Sequence, residues 1–336
     1  DDRRKKRLAL FCNVDEEAIF SNPDQESIYL VPLVLEQQQF AQKVLQRLDL
    51  KSSKKDLRSW EKLAATIQTV KNEVNIAIVG KYFTTGEYQL SDVYVSIIES
   101  LKHAAWGHER KPVLHWIDSE KVEEKGTSVL QGYDGYVVTP GFGSRGIEGL
   151  IQTAQYGREH KKPYLGLCYG MQMAVIEFAR NVLGLSDANT IEVDPKTKAP
   201  VIHLMPDQEK KLLNRDYGAT MRLGRWECIL LKGTKTFAAY AGSKNWAQIV
   251  KRHPLTIAER HRHRYEFNND YRARFEKAGM VIAGTSPDGL LVEVVELADH
   301  PFFIGTQFHP EFQSRPLMPQ PLFSAFVQAC LERRKR

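Results

Sequence analysis

The chain has 336 residues, 42% of them apolar and 26% charged, and a formal net charge of +6. That length allows one large or two ordinary domains with ample core, and the balance is that of a soluble globular protein. No apolar run reaches the roughly 18 residues of a membrane span, and the four cysteines, Cys12, Cys168, Cys228 and Cys330, form no CxxC pair, which argues against a zinc site or disulfide scaffold and for a reducing, cytoplasmic compartment.

The opening "DDRRKKRLAL" has no apolar secretory stretch behind its charges. Its "RRKKR" (3–7), like "ERRKR" at 332–336, reads as a solvated tail, since a nucleic-acid surface wants a basic face interleaved with aromatics. "LALFCNV" (8–14) predicts a buried strand, and "SIYLVPLVLEQQQFAQKVLQRL" (27–48) an extended piece running through Pro32 into an amphipathic helix. The charged stretch 51–73 carries one short helical pattern and reads as a linker. At "VNIAIVG" (74–80) strand–helix alternation begins, with a helix capped at Ser91 that sets Ile97, Ile98 and Leu101 on one face.

Strands follow at "KPVLHWI" (111–117) and "YDGYVVT" (133–139), a glycine-rich loop "PGFGSRGIEG" from 140, and a helix at 149–160. Then come a short strand, Pro163 to Leu167, and a helix with Met171, Ala174, Val175 and Phe178 at helical spacing. Later segments are strand-like, at 227–231, 280–286, 290–297 and 301–309, before a closing helix at 321–334. Alternating strands and helices predict an α/β fold, a mostly parallel central sheet flanked by helices.

In such sheets ligands bind beyond the carboxyl ends of strands. Cys168 lies there, on the turn between strand and helix, flanked by Gly166 and Gly170. This is the geometry of a nucleophile elbow, where the helix N-terminus favours thiolate. "PGFG" (140–143) ends another strand, and its glycines let backbone N–H groups approach a ligand. "QFHPEF" (307–312) offers His309 and Glu311 at the end of a third. A thiol needs a base, and the base needs a carboxylate to fix its tautomer. Alone, a buried cysteine is usually inert core and a glycine loop an ordinary turn; their conjunction points to nucleophilic catalysis.

The strings "PYLGLCYGMQ" and "GTQFHPEF" resemble the class I (triad) glutamine amidotransferases, of flavodoxin-like fold. More narrowly, "RLALFCNV", "SIYLVPLVLEQQ", "IAIVGKY", "FGSRGIEG", "GATMRLG" (218–224), "ERHRHRYEFN" (259–268) and "QFHPEF" together resemble the CTP synthase family, from about residue 8 to about residue 328. The family's N-terminal amidoligase domain carries a phosphate loop for ATP and UTP. No GxxxxGK[ST] string occurs here. The resemblance therefore implies three parts: 1–50 as the C-terminal tail of the amidoligase domain, 51–73 as linker, and 74–336 as the glutamine amidotransferase domain.

The same resemblance implies that this chain hydrolyses L-glutamine, with Cys168 as nucleophile, His309 as proton shuttle and Glu311 orienting it. It puts the oxyanion hole at the N–H groups of Gly141 and Tyr169. Glutamine would be held by Gly141, Tyr169, Gly170, Met171, Gln172, Glu192 and Arg264, with Arg264 on the α-carboxylate and Glu192 on the ammonium. Phe142, Gly143, Ser144, Arg145 and Gly146 match a lid linked to activation by GTP. The full enzyme is expected to use ATP and Mg2+ with GTP as activator, and to assemble as a homotetramer. For this chain the expectation is no cofactor, no metal, no nucleic acid and no membrane.

Two departures from the family pattern stand out. Tyr169 replaces the usual leucine after the nucleophile, and Thr139-Pro140 precedes Gly141 where a glycine is usual. Proline fixes its own φ and restricts Thr139, which predicts a stiffer or shifted loop. "FTTGEYQL" (83–90) is also slightly longer than the family's loop. A free-standing γ-glutamyl hydrolase would share the triad but not "RHRHRYE" and "TMRLG", and a non-catalytic scaffold would have no need of Cys168, His309 and Glu311. If "RHRHR" is extended, Arg260, Arg262 and Arg264 share one face and His261 and His263 the other.

Overall fold

The computed structural model describes residues 2–51, 54–85, 88–90, 93–204, 221–243, 246 and 255–334. The chain divides into two compact units, Asp1–Val70 and Lys71–Arg336. In the first, two short 3-10 turns separate α1 (Asp2–Cys12) from α2 (Val31–Gln37), and α3 (Phe40–Arg47) and α4 (Arg58–Thr69) follow.

The strand expected over 8–14 is instead the second half of α1. Only Ala9 of that run is buried, while Leu8, Leu10 and Phe11 are exposed. With no sheet among this unit's described residues to receive it, the run continues the helix begun by the charged residues before it. The extended entry expected at 27 is a 3-10 turn, and Pro32 sits in the first turn of α2, where its missing N–H costs nothing. Gln39, at φ 58, breaks α2 from α3.

The second unit opens with β1 (Glu73–Gly80) and a small hairpin, β2 (Thr84–Thr85) and β3 (Tyr88–Gln89). There follow α5 (Val95–Gly107), β4 (Lys111–Asp118), α6 (Ser119–Lys125), β5 (Gly135–Val138), α7 (Ile147–Glu159), β6 (Tyr164–Leu167) and α8 (Tyr169–Asn181). The cap expected at Ser91 lies outside the described residues, as do 218–220 of "GATMRLG"; α5 takes Tyr94, at φ 64, as its N-cap. Further on are β7 (Ala188–Thr190), β8 (Ala199–Leu204), β9 (Arg222–Leu230), α9 (Lys235–Gly242), β10 (Thr256–His263) and β11 (Tyr265–Phe267). The unit closes with α10 (Arg272–Lys277), β12 (Met280–Thr285), β13 (Val292–Leu297), β14 (Phe303–Thr306) and α11 (Pro321–Arg334).

Nine of these strands form one sheet in the order β10-β9-β12-β13-β14-β6-β5-β1-β4. The run β4-β1-β5-β6-β14 is parallel, and β13, β12, β9 and β10 extend it antiparallel. A second sheet, β11-β8-β7, lies apart from it. The apolar run of β1 alternates between two cores. Ala77 and Val79 join Leu150, Ala154, Met173 and Val175 of α7 and α8, whereas Val74, Ile76 and Ile78 join Leu101, Phe323, Phe326 and Val327 of α5 and α11. A parallel sheet covered on both faces explains why this strand is apolar throughout. Among the described residues no helix is long and apolar enough to cross a membrane.

Candidate active site

Three neighbouring strands bring the sequence's three separate strings together. β6 lies between β5 and β14, with Gly166 opposite Val138 and Leu167 opposite Thr306. One residue beyond these registers begin the loop 139–146, Cys168, and the segment 307–312. The Cys168 N–H donates to the Thr306 carbonyl at 2.6 Å, tying the elbow to the strand that carries the histidine.

The elbow is tight. Cys168 has φ 51 and ψ −97, a conformation strained for any residue with a side chain. A Cβ on Gly166 would lie 2.7 Å from the Gly170 backbone, and one on Gly170 would lie 2.4 Å from the Val138 carbonyl oxygen. Glycine at both positions lets α8 start immediately over the sheet. The first N–H groups of α8, beginning with Tyr169, have no carbonyl one turn back to bond, so they are free to bind a ligand oxygen.

His309 Nδ1 lies 2.8 Å from Glu311 Oε1, and the His309 N–H donates to the Arg260 carbonyl at 2.8 Å. Its Nε2, buried, makes no hydrogen bond, and neither does Glu311 Oε2. Burial works against a charged imidazole here, but the Glu311 carboxylate and the Cys168 sulfur outweigh it and raise His309 from 6.5 to about 10. Cys168, His309, Glu311, Gly141 and Phe142 all line one cavity of about 330 Å³, together with Tyr82, Tyr94, Arg262 and Phe312.

The residues expected to hold the amino-acid end of a substrate lie apart from that cavity's lining. Gln172 Nε2 donates to the Tyr265 carbonyl at 3.1 Å and to Gln307 Oε1 at 3.2 Å. Gln172 Oε1 and Arg264 Nε are buried without a partner. Glu192 accepts the Gly143 N–H at 2.9 Å, so its carboxylate is engaged by the loop. Burial raises Glu192, and the Gly143 bond with Lys81 and Arg264 pulls the other way. Gly170 and Met171 are buried in the first turn of α8.

Sequence reasoning missed the residue that organises the loop. Lys81, only 2% exposed, donates from Nζ to the carbonyls of Phe142 at 2.8 Å and Gly143 at 2.6 Å. Its ammonium also stands 4.9 Å over the Tyr169 ring, and burial lowers it to about 8 against the pull of Glu192. The Tyr169 hydroxyl donates to the Gly143 carbonyl at 2.6 Å, and Tyr94 to the Pro140 carbonyl at 3.0 Å. The Phe142 N–H donates to the Tyr82 hydroxyl at 3.2 Å, and Arg145 bonds the Lys81 carbonyl and Glu120. Tyr169 thus brings to the loop a hydrogen bond that leucine could not. Gln307 was also missed; its Nε2 points at Cys168 Sγ from 3.6 Å. Lys81 follows directly on the end of β1, and nothing local to it marks the loop it reaches.

A strained cysteine at a strand–helix elbow, facing a histidine–carboxylate pair across one cavity, is the architecture of triad amidotransferases. The family model "Glutamine amidotransferase class-I" matches residues 89–329, and the chain belongs to that family. Its place within the family is with the CTP synthases. The model "CTP synthase N-terminus" matches residues 1–50. CTP synthase of Caldanaerobacter subterraneus is 48% identical over 328 residues, which are 97% of this chain and 57% of that protein. CTP synthase of Nostoc punctiforme is also 48% identical over 328 residues, 97% of this chain and 56% of that one. The solved glutaminase domain of Trypanosoma brucei CTPS, with bound acivicin, is 35% identical with a TM-score of 0.67, covering 77% of this chain and 94% of that one. The chain thus spans a little over half the length of the curated relatives it matches.

Proposed function

We propose that this chain is the glutamine-hydrolysing part of a CTP synthase, with Cys168, His309 and Glu311 as its triad. The observation that carries the reading is the adjacency of β5, β6 and β14, which gathers Gly141, Cys168 and His309 around one cavity. Cys168 Sγ attacks the side-chain amide carbon, and the oxygen that becomes negative is received by the N–H groups of Gly141 and Tyr169. Such donors are typically worth about 3–4 kcal/mol each. His309, held charged by Glu311, gives its Nε2 proton to the departing nitrogen, so ammonia leaves and a glutamyl thioester remains. Water then attacks the thioester, His309 takes its proton, and glutamate leaves as the thiol is restored.

On this reading residues 1–50 close an amidoligase domain, 51–73 link it, and 74–336 make the ammonia that a full protein uses, with ATP, to convert UTP to CTP. Regulation by GTP through residues 142–146, a homotetramer and a cytoplasmic location belong to the same reading. The direct test is ammonia release from L-glutamine by this chain, with and without GTP. No ammonia from the wild type, or equal ammonia from Cys168→Ala, would overturn it.

Two variants probe the ends of the site. Arg264→Met removes the guanidinium assigned to the α-carboxylate. A charge-assisted hydrogen bond contributes roughly 1.5–3 kcal/mol, so KM for glutamine should rise by about ten- to a hundredfold. That contact holds ground state and transition state alike, and kcat should move far less; an unchanged KM would assign the carboxylate elsewhere. Lys81→Met removes the clamp on the Phe142 and Gly143 carbonyls. The misplaced oxyanion donor should lower kcat by about ten- to a hundredfold with KM little changed, read by steady-state kinetics. A pure rise in KM would make Lys81 a binding residue instead.

A further inference from the structure

Beyond the triad, five buried side chains from four strands close into a ring. Arg222 Nη1 is 2.7 Å from Glu293 Oε1. Glu293 Oε2 lies 3.7 Å from His261 Nε2, and His261 Nδ1 lies 2.9 Å from His263 Nε2. His263 Nδ1 is 3.3 Å from Glu266 Oε1, which is 3.7 Å from Arg222 Nη1 and completes the circuit. None of the five is more than 8% exposed.

Hydrogen accounting fixes what the ring contains. His263 Nδ1 is 3.2 Å from the Tyr265 carbonyl, which can only accept, so this nitrogen carries a hydrogen. In a neutral His263 the other nitrogen must then accept, and His261 Nδ1 is its donor. That leaves His261 Nε2 bare, facing Glu293 Oε2, and neither atom has another hydrogen bond. Two lone pairs facing each other in a dry interior repel; one proton between them turns repulsion into a bond. Charge leads to the same count, since two carboxylates against one guanidinium leave a net negative charge that one proton cancels. Reversing every hydrogen would move that proton to Glu266 but leave His263 Nδ1 bare against the Tyr265 carbonyl, so the proton belongs at the Glu293 end of the row. Burial pushes both carboxyls up and both histidines down, which favours a neutral ring. Other charged or titratable groups near these members include His309, Asp288 and Cys228, and His203 stands opposite Glu266 across the β11–β8 pair. Arg222 already supplies the cation between the carboxylates.

The ring lies beneath the amino-acid end of the site. The Tyr265 carbonyl held by His263 is also the acceptor for Gln172, and Arg264 lies between the two. The Glu293 carbonyl accepts the Gln307 N–H at 2.8 Å, and Gln307 touches both Gln172 and Cys168. No ring member lines the cavity of Cys168 and His309, so the ring acts through other residues.

We propose that Arg222, Glu266, Glu293, His261 and His263 form a buried ring holding one shared proton, and that this ring positions Arg264, Tyr265 and Gln172 for glutamine. The positioning half rests on the glutaminase reading; the shared proton does not.

Infrared spectroscopy tests the proton. In the wild-type-minus-variant difference, which removes the band of the buried Glu259 carboxyl raised to about 7, wild type should show at neutral pH the carbonyl stretch of a protonated carboxyl, shifted in heavy water. Glu266→Gln and Glu293→Gln should each lose it, because the one carboxylate left pairs with Arg222. Each single variant should stay near wild-type stability, while the double variant, stranding Arg222, should be destabilised far beyond their sum. Absence of the band from wild type, its persistence in both single variants, or additive stabilities would overturn the shared proton. For positioning, His263→Gln should raise KM for glutamine about tenfold. Iodoacetamide labelling of Cys168, followed by peptide mapping, should stay near the wild-type rate. Unchanged KM would make the ring merely structural. Wild-type protein with neither hydrolysis nor labelling would overturn the glutaminase reading and leave the infrared result standing.

Discussion

Cys168→Ala and Cys168→Gly will each lose glutamine hydrolysis, by at least about a thousandfold, and the glycine variant will be the more stable of the two. The loss follows because no other group near His309 can form the thioester. The order of stabilities follows from the backbone. At φ 51 and ψ −97, Cys168 occupies a region that costs a residue with a Cβ about 1–3 kcal/mol. Alanine keeps the Cβ and the strain; glycine loses both. Elsewhere, replacing alanine by glycine costs roughly 0.5–1 kcal/mol, so a glycine variant more stable by about 1 kcal/mol reverses the usual sign. Denaturant unfolding of the two variants reads this directly. Alanine being the more stable would mean that the elbow stores no strain to present the thiol. A glutamine-analogue electrophile should label Cys168 and spare Cys228 and Cys330 in the wild type, since burial pushes those two thiols well up and keeps them protonated.

The parallel half of the sheet was legible because its strands are buried on both faces, and runs such as "VNIAIVG" and "GYVV" have no competing helical pattern. The antiparallel extension was harder to read. In β9 the stretch from Leu223 to Glu227 is exposed throughout and mixes apolar with charged residues, so neither alternation nor an apolar run marks it. The misread run at 8–14 shows the opposite failure: seven mostly apolar residues look like a strand, yet burial decides nothing in a helix whose Leu10 and Phe11 face outward. At the site, the strings around Cys168 and His309 could be read because they compress the proposed nucleophile, base and carboxylate into short stretches. Lys81 could not, since its work is done on carbonyls more than sixty residues away, where only the β1–β5 pairing brings it. The alternation of "RHRHR" foretold two faces, and β10 buries His261 and His263 while exposing Arg260 and Arg262. Their partners Glu266 and Glu293 come from other strands and carry no local signal.

Glu311→Gln should lower kcat by about a hundred- to ten-thousandfold at neutral pH, with KM for glutamine changed far less. Glutamine fills the same space but brings no charge, and its amide can turn a donor toward His309 Nδ1. That would put the ring's hydrogen on Nε2 and leave no acceptor for the thiol proton. The same substitution has a signed effect on stability. His309 is raised from 6.5 to about 10 in the folded chain, burial opposing and Glu311 with Cys168 prevailing. The folded state therefore holds a proton that the unfolded state gives up between those values, and stability declines as pH rises through that window. The stabilisation is complete below pH 6.5 and gone above about 10. Because Glu311 is the larger of the two favourable causes, the stability difference between wild type and Glu311→Gln should be greatest at the acid end of the window and shrink toward its alkaline end. Lys81, which titrates in the same range without feeling Glu311, is common to both proteins and cancels in the difference. Glu259, raised to about 7 by burial and in part by the Glu311 charge, changes with the substitution near neutral pH only. A difference that stayed flat across the window would mean that Glu311 does not hold the imidazolium, and the loss of kcat would then have to come from geometry alone.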